Sequence, residues 1–339
     1  MRHRCGRRAP LLAPLLLLTS GLLPAPRAAA QDAARDREVE VGGTAYVDAF
    51  YNVSAPDEDD EELNGFTYRR LYLTADFTLS DAFEGRARLE ANNGTTGDKG
   101  PVPFVKDLYL RWTSAAEHRI TAGVQPPPAF DLSEDVWDYR SLEKTTLDLF
   151  GIVESRDFGV RADGPLAADG RLRYHAMIAN NEAVKPEDDR HKRVYALLEA
   201  RPSDPLVFTA GADYATYPDE RDGALRLTVF GAYIADALSV GVEAFRYGVR
   251  YAAAPEGEVL GVSVFGRAAV ASGWEVVGRV DRVGAERHPT LGSDRYTFAL
   301  AGVAYAPVRG VRLIPNLHLM KEDGADAALT ARATIDVEF

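Results

Sequence analysis

The chain has 339 residues, 27% of them charged, with 39 lysines and arginines against 51 aspartates and glutamates and a formal net charge of −12. That sign excludes a general binder of the nucleic-acid backbone, which needs excess cationic side chains. The only cysteine is Cys5, so from residue 6 onward there is no disulfide, no thiolate nucleophile and no cysteine-ligated metal site.

Residues 1–30 divide into arginines up to Arg8, an apolar stretch from Ala9 to Leu23, and Ala28-Ala29-Ala30 before Gln31. This is the three-part form of a cleaved secretory signal peptide. As a spanning anchor the stretch is too short, and Pro10, Pro14, Pro24 and Pro26 interrupt it. Cleavage would leave residues 31–339 as a single domain, more acidic still because Arg2, Arg4, Arg7, Arg8 and Arg27 go with the leader. No later apolar stretch approaches helical spanning length. Insertion into a membrane would then require a closed β-barrel, the other structure that pairs all its backbone groups in lipid.

From residue 38 onward the pattern has period two. Ala327, Leu329, Ala331, Ala333, Ile335, Val337 and Phe339 alternate with Ala328, Thr330, Arg332, Thr334, Asp336 and Glu338. Successive strand side chains face opposite ways, so such a segment is apolar on one face and wet on the other. The same reading predicts sixteen strands, at 38–53, 65–79, 82–93, 103–113, 117–125, 156–163, 170–180, 191–201, 205–217, 223–234, 238–251, 258–270, 273–283, 294–305, 310–321 and 327–339. Pro315 falls inside the fifteenth and removes a ladder donor.

Every second connection is short, such as Ser80-Asp81, Pro202 to Asp204 and Ala271-Ser272, and those between are longer or more charged. Short inner turns alternating with longer outer loops mark a transmembrane antiparallel β-barrel of the bacterial outer membrane. Tyr51, Phe66, Trp112, Tyr214, Tyr217, Tyr233, Tyr247, Tyr251, Trp274 and Tyr296 lie near predicted strand ends, where they could form headgroup-level girdles. The alternative is ordinary core packing.

The third outer loop, Pro126 to Ser155, is the longest connection and carries Asp131, Glu134, Asp135, Asp138 and Arg140. A sixteen-stranded barrel encloses a wide lumen, and a long loop folded inward would narrow it. This loop is therefore the expected constriction; the alternative is a lid over the mouth. Polar parity puts Arg70, Arg86, Arg88, Arg161, Arg279 and Arg332 on the lumen wall near mid-strand, with Asp48, Asp107, Glu243 and Asp281 at comparable height. Guanidinium groups keep their charge and offer planar donors to phosphate or carboxylate, so this wall could hold anions in transit. Alternatively these arginines pair with acids across neighbouring strands.

The acidic run Asp57 to Glu62 suits a hard cation chemically, but nothing fixes a coordination geometry, and His118, His175, His191, His288 and His318 are scattered. No metal or cofactor is expected.

Several stretches resemble the phosphate-selective porin O and P family: Phe66-Thr67-Tyr68-Arg69-Arg70-Leu71-Tyr72-Leu73, Val105 to Leu110, Thr121 to Val124 with Gln125-Pro126-Pro127, and Arg156 to Val160. The resemblance spans roughly residues 64 to 163, and Phe339 is similar to the terminal aromatic of such barrels. It implies a sixteen-stranded trimeric barrel, passive diffusion, a third loop folded into the pore, Arg70 as an inward arginine and Asp107 as an inward acid. The family's lysine ladder is not matched, since beyond the leader lysine occurs only at positions 99, 106, 144, 185, 192 and 321.

The expected function is passive diffusion of small hydrophilic solutes, with a preference for anions, by a homotrimer among outer-membrane lipids. The rival readings are a non-conducting structural or ligand-binding barrel and a lipid-acting barrel enzyme. Of these, the enzyme would have only His318 and Asn316 on one strand face, without a nearby serine.

Overall fold

The computed structural model describes residues 38–97, 100–218 and 221–339. The expected signal peptide at 1–30 lies outside the described residues. Sixteen antiparallel strands close into one barrel. They are β1 (Glu38–Ser54), β2 (Asn64–Ser80), β3 (Phe83–Asn92), β4 (Phe104–Thr113), β5 (Arg119–Gln125), β6 (Asp157–Pro165), β7 (Leu172–Ala179), β8 (Arg193–Ser203), β9 (Leu206–Ala215), β10 (Arg221–Ala235), β11 (Leu238–Tyr251), β12 (Gly257–Ala271), β13 (Trp274–Glu286), β14 (Arg295–Val308), β15 (Val311–Glu322) and β16 (Ala328–Glu338). Each segment read from the period-two pattern is a strand here, with ends within a few residues.

Every strand pairs with its neighbours in sequence, and β1 pairs with β16 to close the ring. Thr334 Oγ1 donates to Asp48 Oδ1 at 2.6 Å across that seam, and the Phe339 backbone exchanges hydrogen bonds of 2.7 and 3.0 Å with Gly43. A Cβ on Gly43 would lie 2.4 Å from the Phe339 ring, so only glycine lets the ring settle there. Between Gly302↔Asn316 and Tyr305↔Leu313 the β14–β15 ladder lapses, beside the missing donor of Pro315.

The outer surface is apolar all round, with Val39, Leu73, Leu108, Val160, Ile178, Leu198, Val229, Leu260, Val280 and Leu317 all exposed. Exposed aliphatic residues on every wall of a closed barrel have hydrocarbon as their natural surroundings. The chain is a membrane-spanning β-barrel. No helix of the described residues is long and apolar enough to cross a membrane. Tyr51, Phe66, Trp112, Tyr214, Tyr233 and Trp274 are exposed, as girdle residues must be. Tyr247 and Tyr296 correct that expectation: they face inward and pack with Phe245, Phe150 and Val283, while Tyr217 and Tyr251 lean on the same cluster.

Two further departures from simple parity shape the interior. The register shifts between Tyr46↔Arg70 and Val47↔Tyr68, and again between Arg88↔Asp107 and Leu89↔Val105. Each β-bulge sets two consecutive side chains on the inner face, Arg69 with Arg70 and Lys106 with Asp107. On β10 to β15 the inner face is partly apolar: Phe230, Phe265, Val277, Phe298, Leu300 and Ile314 are buried there.

Candidate functional site: the inward loop and the chamber beneath it

The connection from Pro126 to Ser155 folds into the lumen. It contains α1 (Asp131–Trp137) and α2 (Thr146–Leu149). α1 ends at Asp138, whose φ of 56° is left-handed and reverses the chain. The apolar side of α1 and of the turn after it packs on the apolar inner wall: Trp137, Tyr139 and Leu142 are at most 1% exposed, and Trp137 meets the Phe265 ring edge-on at 5.6 Å. Inward phenylalanines on β10 to β14 are therefore covered by protein, which resolves the cost of greasy side chains in a wet lumen.

Polar contacts fasten the same loop around the ring. Arg69 donates to the Leu142 carbonyl at 2.5 Å, and Lys106 to Ser155 Oγ at 2.8 Å. Arg161 binds Asp131 and the Pro126 carbonyl. Ser133 Oγ donates to Glu243 at 3.0 Å, Tyr139 OH to Glu275 at 2.5 Å, and Arg312 to Asp138 at 3.2 Å. Within the loop Arg140 bridges Glu134 and Asp148.

Beneath α1, towards the short turns, lies a chamber of about 630 Å³. Arg86, Arg111, Arg119, Arg161, Arg173 and Arg201 line it, interleaved with Asp131, Asp135, Asp163, Glu199 and Glu243. Arg86 makes a two-pronged bond to Asp76 at 2.6 and 2.9 Å, and Arg111 reaches Glu84 at 2.9 Å. Arg201 holds Glu199 at 2.6 Å. Arg119 and Arg173 make no side-chain hydrogen bond or ion pair among the described residues. His175 sits between Asp163 at 2.6 Å and Glu199 at 3.2 Å. Asp135 opens onto this chamber but is hemmed in. Burial, then the charges of Asp131, Glu134 and Asp138, raise its pKa to about 6, against a smaller lowering by Arg161.

The residues expected on the lumen wall are all on inner-facing positions, but they are not alike. Arg70 donates to Tyr72 OH at 3.0 Å, and Arg88 to Thr74 at 2.8 Å with Asp107 at 3.5 Å. Asp107 is buried under Arg156, and Arg161 is shared between Asp163 and Asp131. Arg279 departs from the expectation: it is 2% exposed, covered by the loop, bound to Asp281 and to Thr146 Oγ1 at 3.1 Å. It anchors the loop rather than facing open lumen. Arg332 makes no hydrogen bond or ion pair among the described residues, and its nearest charges are those of Arg69, Glu143 and Asp48.

Cross-strand pairing thus holds for Arg86 with Asp76 and Arg88 with Asp107, whereas Arg161 and Arg279 pair along their own strands and with the loop. Mid-strand parity missed the chamber's Arg111, Arg119, Arg173 and Arg201, although all four flank short turns on wet-face positions. His318 packs edge-on against Phe298, and Asn316 bonds the Ile314 carbonyl and Thr334. Neither meets a serine in these contacts. Three acids of an outer loop, Glu182, Asp188 and Asp189, come within 4.8 Å of one another. They are not the acidic run singled out in the sequence.

No family model and no curated protein matches this chain. Solved structures do. A loop-deletion form of the outer membrane protein OmpT of Vibrio cholerae aligns at TM-score 0.66 and 16% identity, covering 89% of this chain and 99% of that one. An anion-selective porin from Comamonas acidovorans aligns at 0.66 and 12% identity, over 90% and 100%. The outer membrane channel DcaP of Acinetobacter baumannii aligns at 0.65 and 13%, over 89% and 97%. The fold is that of the outer-membrane porins. At these identities the likeness extends to the barrel fold alone, and the chemistry of the lumen rests on this chain's own residues.

Proposed function

We propose that the protein is a porin for passive diffusion of small hydrophilic solutes, that residues 126–155 form its constriction, and that it favours anions and works as a homotrimer. The observation that carries this reading is the arginine-lined chamber directly beneath the inward loop. A solute entering past the loop meets Arg70, Arg88 and Arg332 on one wall, then Arg119 and Arg173, whose guanidinium donors are uncommitted. Asp131, Glu134, Asp138 and Arg140 are tied in ion pairs that hold the loop in place, so they contribute little net field. Fixed cations in a narrow, low-dielectric passage lower the cost for an anion and raise it for a cation. No covalent step is involved, and the concentration gradient drives flux. The resemblance to phosphate-selective porins agrees with this preference, and the scarcity of lysine argues for a broader anion class than phosphate. In-vitro folded OmpT of Vibrio cholerae, which shares the fold, has been solved in a trimer form, and this supports the homotrimer.

Planar-bilayer recording in a salt gradient tests the reading. Ohmic channels with an anion-selective reversal potential are expected, and Arg119→Gln with Arg173→Gln should move that potential towards zero. A cation-selective potential in the unaltered protein overturns the preference. The apolar seal between α1 and β10 to β14 favours a second reading, a barrel plugged by its loop; failure of sugars to swell protein-loaded liposomes would establish that one instead.

A further inference from the structure

Outside the lumen, the lipid-facing wall of β11 to β15 carries an arrangement that transport does not use. Going up the outer face of β11, Leu238, Val240, Val242 and Ala244 are followed by Arg246; on β13, Trp274, Val276, Gly278 and Val280 are followed by Arg282. Eight residues of tilted strand separate Trp274 from Arg282, a height of roughly 20 Å, close to the apolar band of such barrels. The charged positions are therefore at the outer headgroup level. On β4, β6, β7 and β8 the outward residues near the outer ends are Val105, Phe158, Ile178 and Val194, so this charged rim belongs to one side of the barrel.

At the rim lies a hollow of about 960 Å³, lined by Glu258, Arg282, Asp294, Arg295 and Asp323 above Leu260 and Val262. Arg282 is held by Asp323 at 2.6 and 2.9 Å and by Thr297 at 2.6 Å. Arg246 is paired with Glu258 at 2.9 Å. The Arg295 side chain lies over Gly284 and makes no hydrogen bond or ion pair among the described residues. Directly below, along the same strands, runs an apolar trough of about 580 Å³. Gly266, Gly278, Ala299 and Ala301 form its floor between ridges of Val264, Leu317 and Leu319. A Cβ at Gly278 would find only the Leu300 carbonyl, at 3.7 Å, so the space over it is open.

We infer that this two-storey groove is a binding site for a phosphorylated glycolipid of the outer leaflet, with acyl chains in the Gly/Ala trough and the headgroup in the charged hollow. Arginine donors suit phosphate oxygens, and the carboxylates beside them suit sugar hydroxyls or a divalent ion shared with phosphate. The division into polar hollow and apolar trough falls at the headgroup boundary, which is what an amphipathic lipid requires and a second protein copy does not. The inference rests on the outer-membrane location and is independent of conductance.

The test uses the full-length protein purified from membranes in mild detergent and exposed to diphosphorylated lipid A in mixed micelles, with retained lipid counted by mass spectrometry. Arg295→Glu at the rim and Gly278→Leu in the trough should each lower retention roughly tenfold, the loss of a charge-assisted contact or of chain burial. Arg295→Lys should keep most of it. Unchanged heat-shifted gel mobility and circular dichroism would show that the variants are folded. Retention equal to the unaltered protein in both variants overturns the proposal. So does dissociation of oligomers by Gly278→Leu with lipid unaffected by Arg295→Glu, which would mean that another copy covers the trough.

Discussion

At the scale of single residues, Arg161 is the most connected loop fastener. It touches Asp163, Asp131, the Pro126 carbonyl and His175. Removing one member of a buried charged cluster strands the others, at about 3 kcal/mol. Arg161→Met should therefore unfold at lower temperature on gel-shift assay and show noisier single-channel current as α1 loosens.

Asp135 gives a pH dependence with a defined sign. Its pKa in the fold, about 6, lies above that of an unfolded carboxyl, so the folded chain holds the proton more tightly. The resulting stabilisation is full in acid and is lost as pH rises through about 6. Asp135→Asn should be the more stable protein at pH 7 and lose that advantage below pH 4. In bilayers, anion selectivity should rise as pH falls from 7 to 5 in the unaltered protein and stay flat in the variant.

At the scale of elements, the loop behaves as a small core element rather than a tether. Trp137 fills the space between Phe265, Tyr139 and Arg279 and donates its indole N–H to the Glu143 carbonyl at 2.9 Å. Trp137→Ala should cost about 3 to 5 kcal/mol as a cavity mutation and convert steady current into flickering. The strands themselves were legible because period two is a local signal, and α1 was not, because seven residues enclosed by a barrel take their helicity from tertiary packing. The direction of Arg69 and Lys106 was hidden for a different reason: a bulge inserts one residue, and everything read by alternation from one side slips by one on the other. The apolar inner face of β10 to β15 did leave a trace. Stretches such as Val259 to Phe265 are apolar on both faces but for Ser263, a pattern that signals a strand covered on both sides.

At the scale of the whole molecule, loop and barrel are complementary halves. Replacing residues 126–155 with a short Gly/Ser link should widen the passage and raise conductance severalfold. It should also bare Phe230, Phe265 and Phe298 to water, detectable as binding of a hydrophobic dye that the intact protein does not take up. Of the candidate site, the charges on strands near mid-height could be read from the sequence. Their division between free donors and loop anchors could not, because it depends on which wall the loop rests against. Arg279 and Arg332 look alike in sequence and end in opposite situations.

The seam between the first and last strands also sets a timetable. Asp48 and Thr334 are 286 positions apart, yet they bond directly, and Asp48 in turn grips Arg69, the residue that holds the Leu142 carbonyl. Contacts so distant along a polymer form late and slowly. Until they do, the growing sheet shows two raw edges of unpaired amides and carbonyls, open to any neighbouring strand. The insert and the closure are thus linked in time as well as space: the cylinder shuts around a cargo that one of its own last-made bonds helps to secure.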